Sequence, residues 1–265
     1  MTTTHGGVAE TDYGAMIRAL NQVHYAGETS FYATAPLRPC EEKLYQRLDI
    51  GTRILDVGCG AGRVTNGITR LGGRIVGVDI NDAALSAARA ACPTGTFVHG
   101  SMNALPLPAD SFDQVWCLRF SFNALATEAE RLESLSELWR VCSPGGTVLV
   151  EAFNWHYAGR FGLVRLANIL DMAARTARWH GQRRTGSRPL PGRDIIYLAN
   201  KASSAAPGYA HLTTVHELNL LTAACGIRKH AIVTSEDGVF LTPSPSVRTN
   251  HRRYSMWLVL RKPPE

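Results

Sequence analysis

The sequence predicts an α/β fold, a doubly wound and mostly parallel seven-stranded sheet with helices on both faces. From Arg53 to Ala152, apolar runs of strand length alternate with segments of helical periodicity, which is typical of βαβ units. Two later apolar runs, Ile227–Thr234 and Tyr254–Leu260, supply the remaining strands. The first five strands are predicted at Arg53–Val57, Arg74–Val78, Thr96–Val98, Phe112–Leu118 and Thr147–Ala152.

Helices are predicted between these strands and ahead of them. The spacing of apolar residues places them at Thr11–Val23, Pro39–Leu48, Val64–Leu71, Ala83–Ala91 and Glu128–Val141. The first two are separated by an aromatic-rich stretch from Tyr25 to Tyr32, and Ser143–Gly146 is expected to turn the last into a strand. A late helix begins after Thr213–Glu217, which carries an N-cap signal, and ends at Cys225-Gly226.

Composition narrows the class of protein. With 265 residues, of which 45% are hydrophobic and 19% charged, the chain can build a large core as one domain, 1–265. Its six cysteines form no CxxC pair and no Cys/His cluster, so we expect neither a disulfide framework nor a metal site. The start lacks the pattern of a signal peptide, and no apolar run of ~18 residues occurs, so we expect a cytoplasmic protein that does not cross a membrane.

The most informative segment is a glycine-rich loop between a predicted strand and helix, Asp56-Val57-Gly58-Cys59-Gly60-Ala61-Gly62. Glycines are needed where the chain turns tightly and a ligand lies against the backbone. A dinucleotide-binding loop would carry glycine at position 63, where this chain has Arg63, and Asp56 would repel a pyrophosphate. A ligand with an ammonium group suits the loop better, which makes an NAD-dependent reductase the weaker alternative.

These residues resemble the class I (Rossmann-like) S-adenosylmethionine-dependent methyltransferases, whose acid-x-Gly-x-Gly-x-Gly motif matches Asp56 to Gly62. The resemblance implies S-adenosylmethionine as cofactor. It implies that Asp79, at the end of the second strand, accepts both ribose hydroxyls and that Ile80 lies against the adenine. Ser101 and Met102 match the segment that addresses the adenine edge, although many relatives have aspartate where this chain has Ser101.

The resemblance also implies a helical lid at 1–50, in which Tyr25 closes over the cofactor; a helix that only pads the sheet is the alternative. After the fourth strand, Leu118 borders the cofactor. Arg119 is expected to contact the methionine carboxylate or an anionic acceptor, or else to cap the strand. The cofactor residues predicted in this way are Asp56, Gly58, Cys59, Gly60, Gly62, Asp79, Ile80, Ser101, Met102, Leu118, Arg119 and Tyr25.

Two histidines are candidate bases for an acceptor that must lose a proton. His156 lies in the loop after the fifth strand, which overlooks the methyl group in this family, and imidazole titrates near neutrality. His211 precedes the late helix, where it would reach the cavity or face solvent.

A basic insert is expected at 153–210. It carries nine basic and two acidic residues, a net charge of +7, whereas the whole chain has +6. Part of the insert has the pattern of a cationic amphipathic helix. We expect either a solvated basic face or a cap that shapes the acceptor site, in which case the acceptor would carry phosphate or carboxylate.

The leading hypothesis is a methyltransferase that acts on oxygen, nitrogen or carbon of a small molecule, in secondary metabolism. An RNA-modifying enzyme is the first alternative, since the insert and the late basic residues would suit nucleic acid, but the net charge is modest. A protein that binds S-adenosylmethionine without transferring methyl is the second. The oligomeric state stays open.

Overall fold

The computed structural model describes residues 7–157, 170, 193–198, 207–234 and 253–264. Three helices and two strands come first, in the order α1 (Gly7–Thr34), α2 (Pro39–Gln46), β1 (Arg53–Val57), α3 (Arg63–Arg70) and β2 (Arg74–Asp79). There follow α4 (Asp82–Ala91), β3 (Thr96–His99), β4 (Phe112–Cys117), a short 3₁₀ helix (Ser121–Ala124), α5 (Glu128–Val141) and β5 (Cys142–Phe153). The last elements are β6 (Asp194–Leu198), β7 (Pro207–His211), α6 (Val215–Ala224), β8 (His230–Val233) and β9 (Ser255–Arg261).

Seven strands form one sheet in the order β3-β2-β1-β4-β5-β9-β8. The pairs from β3 to β5 are parallel, and β9 runs antiparallel to both of its neighbours. This is the predicted sheet. The order reverses direction between β1 and β4, and a sheet of this kind binds ligands at the carboxyl ends of its strands at that point.

Successive residues of the central strands pack on opposite faces, as the doubly wound prediction requires. On one face, Leu55 and Val115 join a buried cluster with α5 and α6. On the other, Ile54 and Trp116 join a cluster with α2 and α3. Burial on both faces explains why these strands are continuously apolar in sequence.

The N-terminal segment differs from the prediction. Instead of a helix ending near Val23 and a separate aromatic stretch, α1 continues to Thr34. No proline interrupts it until Pro36, and the residue before a proline is disfavoured in helical conformation, so the helix ends there. The helix packs along α4 and β7, whose contacts outweigh the modest helix propensity of the aromatic residues.

Two further differences concern the second half. β5 begins at Cys142 rather than after the expected turn. The two steps from Phe112 to Gln114 in β4 pair with the five steps from Cys142 to Thr147 in β5, so the turn becomes an irregularity in the pairing. β6 and β7 form a separate antiparallel pair that lies, except for His211, in 153–210, a region whose pattern did not indicate strands. Residues 158–169, 171–192 and 199–206 of the basic insert lie outside the described residues.

Within the described part of the chain, no helix combines the length and the apolar character that a membrane span requires. All six cysteines are described, and none takes part in a disulfide.

Candidate functional site

A cavity of about 460 Å³ lies at the carboxyl ends of β1, β2 and β4. Along this edge the sheet order is β3, β2, β1, β4, so the residues that follow these strands span three strand spacings, about 14 Å. Eleven of the twelve predicted cofactor residues line the cavity, and the twelfth, Gly62, does not.

The glycine loop forms the floor of the cavity. Gly58 and Gly60 have φ values of +74° and +54°, in the left-handed region that favours glycine. A Cβ on Gly58 would lie 2.5 Å from Cβ of Ser121, so only glycine allows the close approach of the turn after β4. Gly62, with φ +81°, caps α3, and a Cβ there would lie 2.8 Å from Cβ of Ala88. Gly62 therefore permits helix packing rather than ligand contact.

Asp79 ends β2 and turns its carboxylate into the cavity. Its Oδ2 accepts the N–H of Gly60 at 2.7 Å, and its Oδ1 accepts the N–H of Asn81 at 2.9 Å. Burial raises the pKa of Asp79 above its ordinary value, against the lowering effect of these backbone bonds. Each carboxylate oxygen has a second lone pair, so both can still accept a hydroxyl of a diol.

Asp56, at the end of β1, is a buried acid in the cavity wall. Only 3% of it is exposed, and Thr65 donates its hydroxyl to Oδ2 at 2.8 Å. Burial raises the pKa of Asp56 to about 6. A cation beside this carboxylate would favour its charged form, as an ammonium group would.

The end of the cavity beside β2 and β3 is apolar. Ile80 is 44% exposed, unusual for a large apolar side chain next to a buried strand, and it borders the cavity with Met102. Ser101 accepts the backbone N–H of Asn103 at 3.3 Å, and Asn103 donates to the Glu133 carboxylate of α5 at 3.0 Å. A planar ring placed here would cover the exposed face of Ile80.

The turn after β4 closes the cavity at its other end. Arg119 and Phe120 have φ values of +53° and +67°, which non-glycine residues rarely adopt. The Arg119 N–H donates to Glu151 Oε2 at 2.9 Å, and Arg119 and Tyr32 of α1 both line the cavity. Glu151 is fully buried. The sequence analysis assigned it no role, although an acid in an otherwise apolar predicted strand was a signal.

The helix α1 supplies the roof. Asn21, Tyr25, Thr29 and Tyr32 line the cavity at the spacing of one helix face. Asn21 donates to the carbonyl of Ala124 at 3.2 Å and accepts the N–H of Tyr209 at 3.1 Å, and Arg18 pairs with Glu130 of α5. The polar residues at intervals of four were the sequence signal that would have added Asn21 and Thr29 to the site.

The two candidate bases lie elsewhere. Neither His156 nor His211 is among the residues that line the cavity within the described chain. His156 is exposed in the loop after β5, where its backbone N–H donates to Asn154 Oδ1 at 3.0 Å.

His211 is 3% exposed, which excludes the solvent-facing alternative. Its Nδ1 lies 2.6 Å from Asp194 Oδ1 and its Nε2 lies 2.9 Å from Glu217 Oε1. Both ring nitrogens thus contact carboxylates that hold β6, β7 and α6 together. Sequence reasoning did not foresee these partners, because Asp194 and Glu217 reach His211 only through the pairing of β6 with β7 and the packing of α6. This placement argues for a structural role and leaves His156 as the base that we carry forward.

The basic insert is described only in part. Arg193, one of its nine basic residues, pairs with Glu217 at 2.5 Å and therefore serves the fold. The other eight basic residues of the proposed cap lie outside the described residues.

The arrangement of the cavity fits S-adenosylmethionine. Apolar Ile80 and Met102 suit its adenine, the Asp79 carboxylate with its remaining lone pairs suits the ribose diol, and Asp56 and Arg119 suit the charged amino-acid end. These residues follow β3, β2, β1 and β4 in their order along the sheet edge, so they form an elongated site that matches an elongated ligand.

Comparison with known proteins agrees with this geometry. Residues 55–150 match the model of a methyltransferase domain. A protein of Mycolicibacterium smegmatis named "Probable S-adenosylmethionine-dependent methyltransferase" is 34% identical over 116 residues, 43% of this chain and 44% of that protein. The ubiquinone/menaquinone biosynthesis C-methyltransferase UbiE of a Marinomonas species is 32% identical over 113 residues, 39% of this chain and 43% of that one. The match thus covers less than half the length of these curated relatives.

The fold extends further than the sequence similarity. The structure of the CcbJ methyltransferase from Streptomyces caelestis aligns with a TM-score of 0.59 over 92% of this chain and 99% of that chain, at 18% identity. At such identity the likeness concerns the fold alone, and it includes the seven-stranded sheet described above. Residues 55–150 thus form a methyltransferase domain, within a chain that has the fold of solved S-adenosylmethionine-dependent methyltransferases.

Proposed function

We propose that this protein transfers the methyl group of S-adenosylmethionine to a small-molecule acceptor. The observation that carries the proposal is the cavity in which Asp56, Asp79 and Arg119 from three strand ends meet the roof of α1. Its volume lies within the range of small-molecule sites, roughly 300–1,000 Å³. The UbiE relative, whose name assigns it to quinone biosynthesis, supports an acceptor of this class.

The residues of this chain would bind and orient rather than react. S-adenosylmethionine, when bound, supplies a methyl group made electrophilic by its sulfonium. Asp79 and the glycine loop hold the cofactor in place, and the α1 roof limits access of water through Tyr25 and Tyr32. Where the acceptor must lose a proton, we assign the base to His156, whose loop follows β5 at the same sheet edge.

An anionic acceptor is the finer part of the proposal. Arg119 lines the cavity and carries a permanent charge, so it would attract a carboxylate or phosphate. We also infer a reducing, cytoplasmic location, which the absence of disulfides among the six cysteines supports.

Transfer of a labelled methyl group tests the proposal. Purified protein is incubated with methyl-labelled S-adenosylmethionine and either a metabolite extract fractionated by charge or total RNA. We expect label in an anionic small-molecule fraction, and much less of it with the Asp79→Ala variant at a subsaturating concentration of the cofactor. Label confined to RNA would replace the acceptor class by nucleic acid. Cofactor binding without any labelled product would make the chain a binding protein that does not methylate.

A further inference from the structure

The turn after β4 adopts a conformation that needs support. Among the described residues, three non-glycine residues have left-handed φ values, and Arg119 and Phe120 are two of them in succession. Such conformations cost about 1–2 kcal/mol per residue and persist where the surroundings determine them. Arg119 lines the cavity, so whatever holds this turn also shapes the site.

Glu151 is the group in contact with this turn. It is fully buried in β5, and its Oε2 accepts the Arg119 N–H at 2.9 Å. The same carboxylate accepts both terminal nitrogens of Arg38, at 2.9 Å and 2.6 Å. The bidentate pair neutralises the buried charge and fixes the orientation of the carboxylate toward Arg119.

The ion pair between Arg38 and Glu151 is linked to a second ion pair, between Glu41 and Arg63, which reaches the cavity. Arg38 also donates through Nε to Glu41 at 2.8 Å, and Glu41 accepts both arms of Arg63 at 2.5 Å and 2.6 Å. Arg63 is the first residue of α3 and lines the cavity. The chain of contacts thus begins and ends at the cavity wall, once beside the glycine loop and once at Arg119.

Stability alone does not account for this arrangement. Replacing a buried ion pair by apolar residues of similar volume is often neutral or stabilising, whereas a buried charge left without its partner is costly. The network of Glu151, Arg38, Glu41 and Arg63 is neutral overall and contacts the cavity wall at two places. It is better explained by the conformation that it gives to that wall.

We infer that Glu151 is a positioning residue: oriented by Arg38, it holds the left-handed turn at Arg119 and so sets the shape of the cofactor cavity. This inference rests on the proposed function only for the effect on affinity for the cofactor. Its effect on the turn itself is independent of any ligand.

The test compares Glu151→Gln with a matched control. Glu137→Gln changes a carboxylate of the same kind, which accepts the backbone N–H of Leu105 at 2.7 Å and pairs with Arg140, but Leu105 does not line the cavity. Affinity for S-adenosylhomocysteine is measured by calorimetry, together with thermal unfolding. We expect at least a tenfold loss of affinity in Glu151→Gln and less than a twofold loss in Glu137→Gln.

Hydrogen exchange provides the readout without ligand. In Glu151→Gln, we expect amide exchange in residues 118–124 to accelerate while exchange in the central strands stays unchanged. In Glu137→Gln, we expect exchange in residues 118–124 to stay as in wild type. If Glu151→Gln does not fold, Arg38→Lys keeps the charge and loses the bidentate geometry, and it should show the same effects in weaker form.

Two outcomes would overturn the inference: unchanged exchange at 118–124, or equal affinity losses in the two glutamate variants. If wild-type protein does not bind S-adenosylhomocysteine, the proposed function fails, and the exchange measurement still decides the role of Glu151.

Discussion

The backbone N–H of Gly60 donates to Asp79 Oδ2 at 2.7 Å, which joins the loop after β1 to the end of β2. The acid that suits a ribose diol is therefore also the group that fixes the glycine loop. Loss of the Asp79 carboxylate should therefore affect both cofactor binding and the conformation of the glycine loop.

Asp79→Ala should weaken binding of S-adenosylhomocysteine by about 2–3 kcal/mol, the scale of hydrogen bonds to a charged group. It should also lower the unfolding temperature, because two backbone N–H groups lose their acceptor. Calorimetry measures the first effect. Asp82→Ala, three residues later at an acid whose side chain is 81% exposed, is the control and should leave affinity unchanged. Equal affinity of Asp79→Ala and wild type would remove Asp79 from the site.

Asp56→Asn should stabilise the unliganded fold and weaken the affinity for S-adenosylmethionine. Because the pKa of Asp56 is about 6 in the folded protein and near 3.9 when unfolded, the folded state binds more protons between these values. Stability therefore falls as pH rises through this window, by up to roughly 3 kcal/mol. The asparagine keeps an acceptor for Thr65 and removes the charge.

Unliganded Asp56→Asn should thus unfold at a higher temperature than wild type at pH 7.5, the difference vanishing near pH 4, and it should bind S-adenosylmethionine more weakly. Asp113→Asn is the contrasting control. Hydrogen bonds from Arg53 hold the pKa of Asp113 below its ordinary value, so this change should not stabilise at pH 7.5. A stability difference at Asp56 that does not depend on pH would contradict the assigned cause.

Gly58→Ala should be more damaging than Gly72→Ala. Both glycines have positive φ, +74° and +82°, so both variants incur backbone strain on the order of 1 kcal/mol. Only at Gly58 does the new Cβ meet another atom, 2.5 Å away at Ser121, whereas nothing lies within 4 Å at Gly72. Urea unfolding should show a loss larger by about 1–3 kcal/mol at Gly58. Similar losses in the two variants would mean that the loop can move away from Ser121.

Glu217→Gln should change the acid side of the stability profile. Burial would raise the pKa of Glu217, but its hydrogen bond with His211 and the charges of Arg131 and Arg193 hold it below the ordinary value. A depressed folded pKa contributes stability above the unfolded value of about 4.3, which is lost as pH falls through the folded pKa. Thermal unfolding from pH 3 to 7 should therefore show a weaker pH dependence in Glu217→Gln. The control is Glu42→Gln at an exposed residue, which should leave the pH dependence of stability as in wild type. If Glu217→Gln lowered the unfolding temperature by the same amount at every pH, this account would be refuted.

His156→Ala should lower turnover and leave the affinity for S-adenosylhomocysteine unchanged, because the residue does not line the cofactor cavity. A general base contributes typically 10²–10⁴-fold to the rate. The comparison is His216→Ala, an exposed histidine in the first turn of α6, with single-turnover rates measured on both. Normal turnover in His156→Ala would end its candidacy as the base.

Prediction from sequence worked where the determining interactions are local. Strand periodicity, the spacing of Gly58, Gly60 and Gly62, and an acid at the end of β2 are properties of short segments, and each follows from backbone geometry. They sufficed for the main sheet, for the methyltransferase domain of residues 55–150 and for eleven residues that line the cavity, but not for Asn21 and Thr29. At α1, the aromatic residues predicted a helix that ends near Val23. The prediction was wrong because tertiary packing extends the helix to Thr34.

The sequence by itself determined the α/β class, the order in the chain of the seven strands of the main sheet, and the glycine loop. Only the tertiary structure decided that Glu151 meets Arg119 and Arg38, which lie 32 and 113 residues away, and that Asp194 and Glu217 occupy both nitrogens of His211. The physical reason is that a buried carboxylate takes its role from the donors that the fold brings to it, and no local pattern specifies donors so distant in the chain.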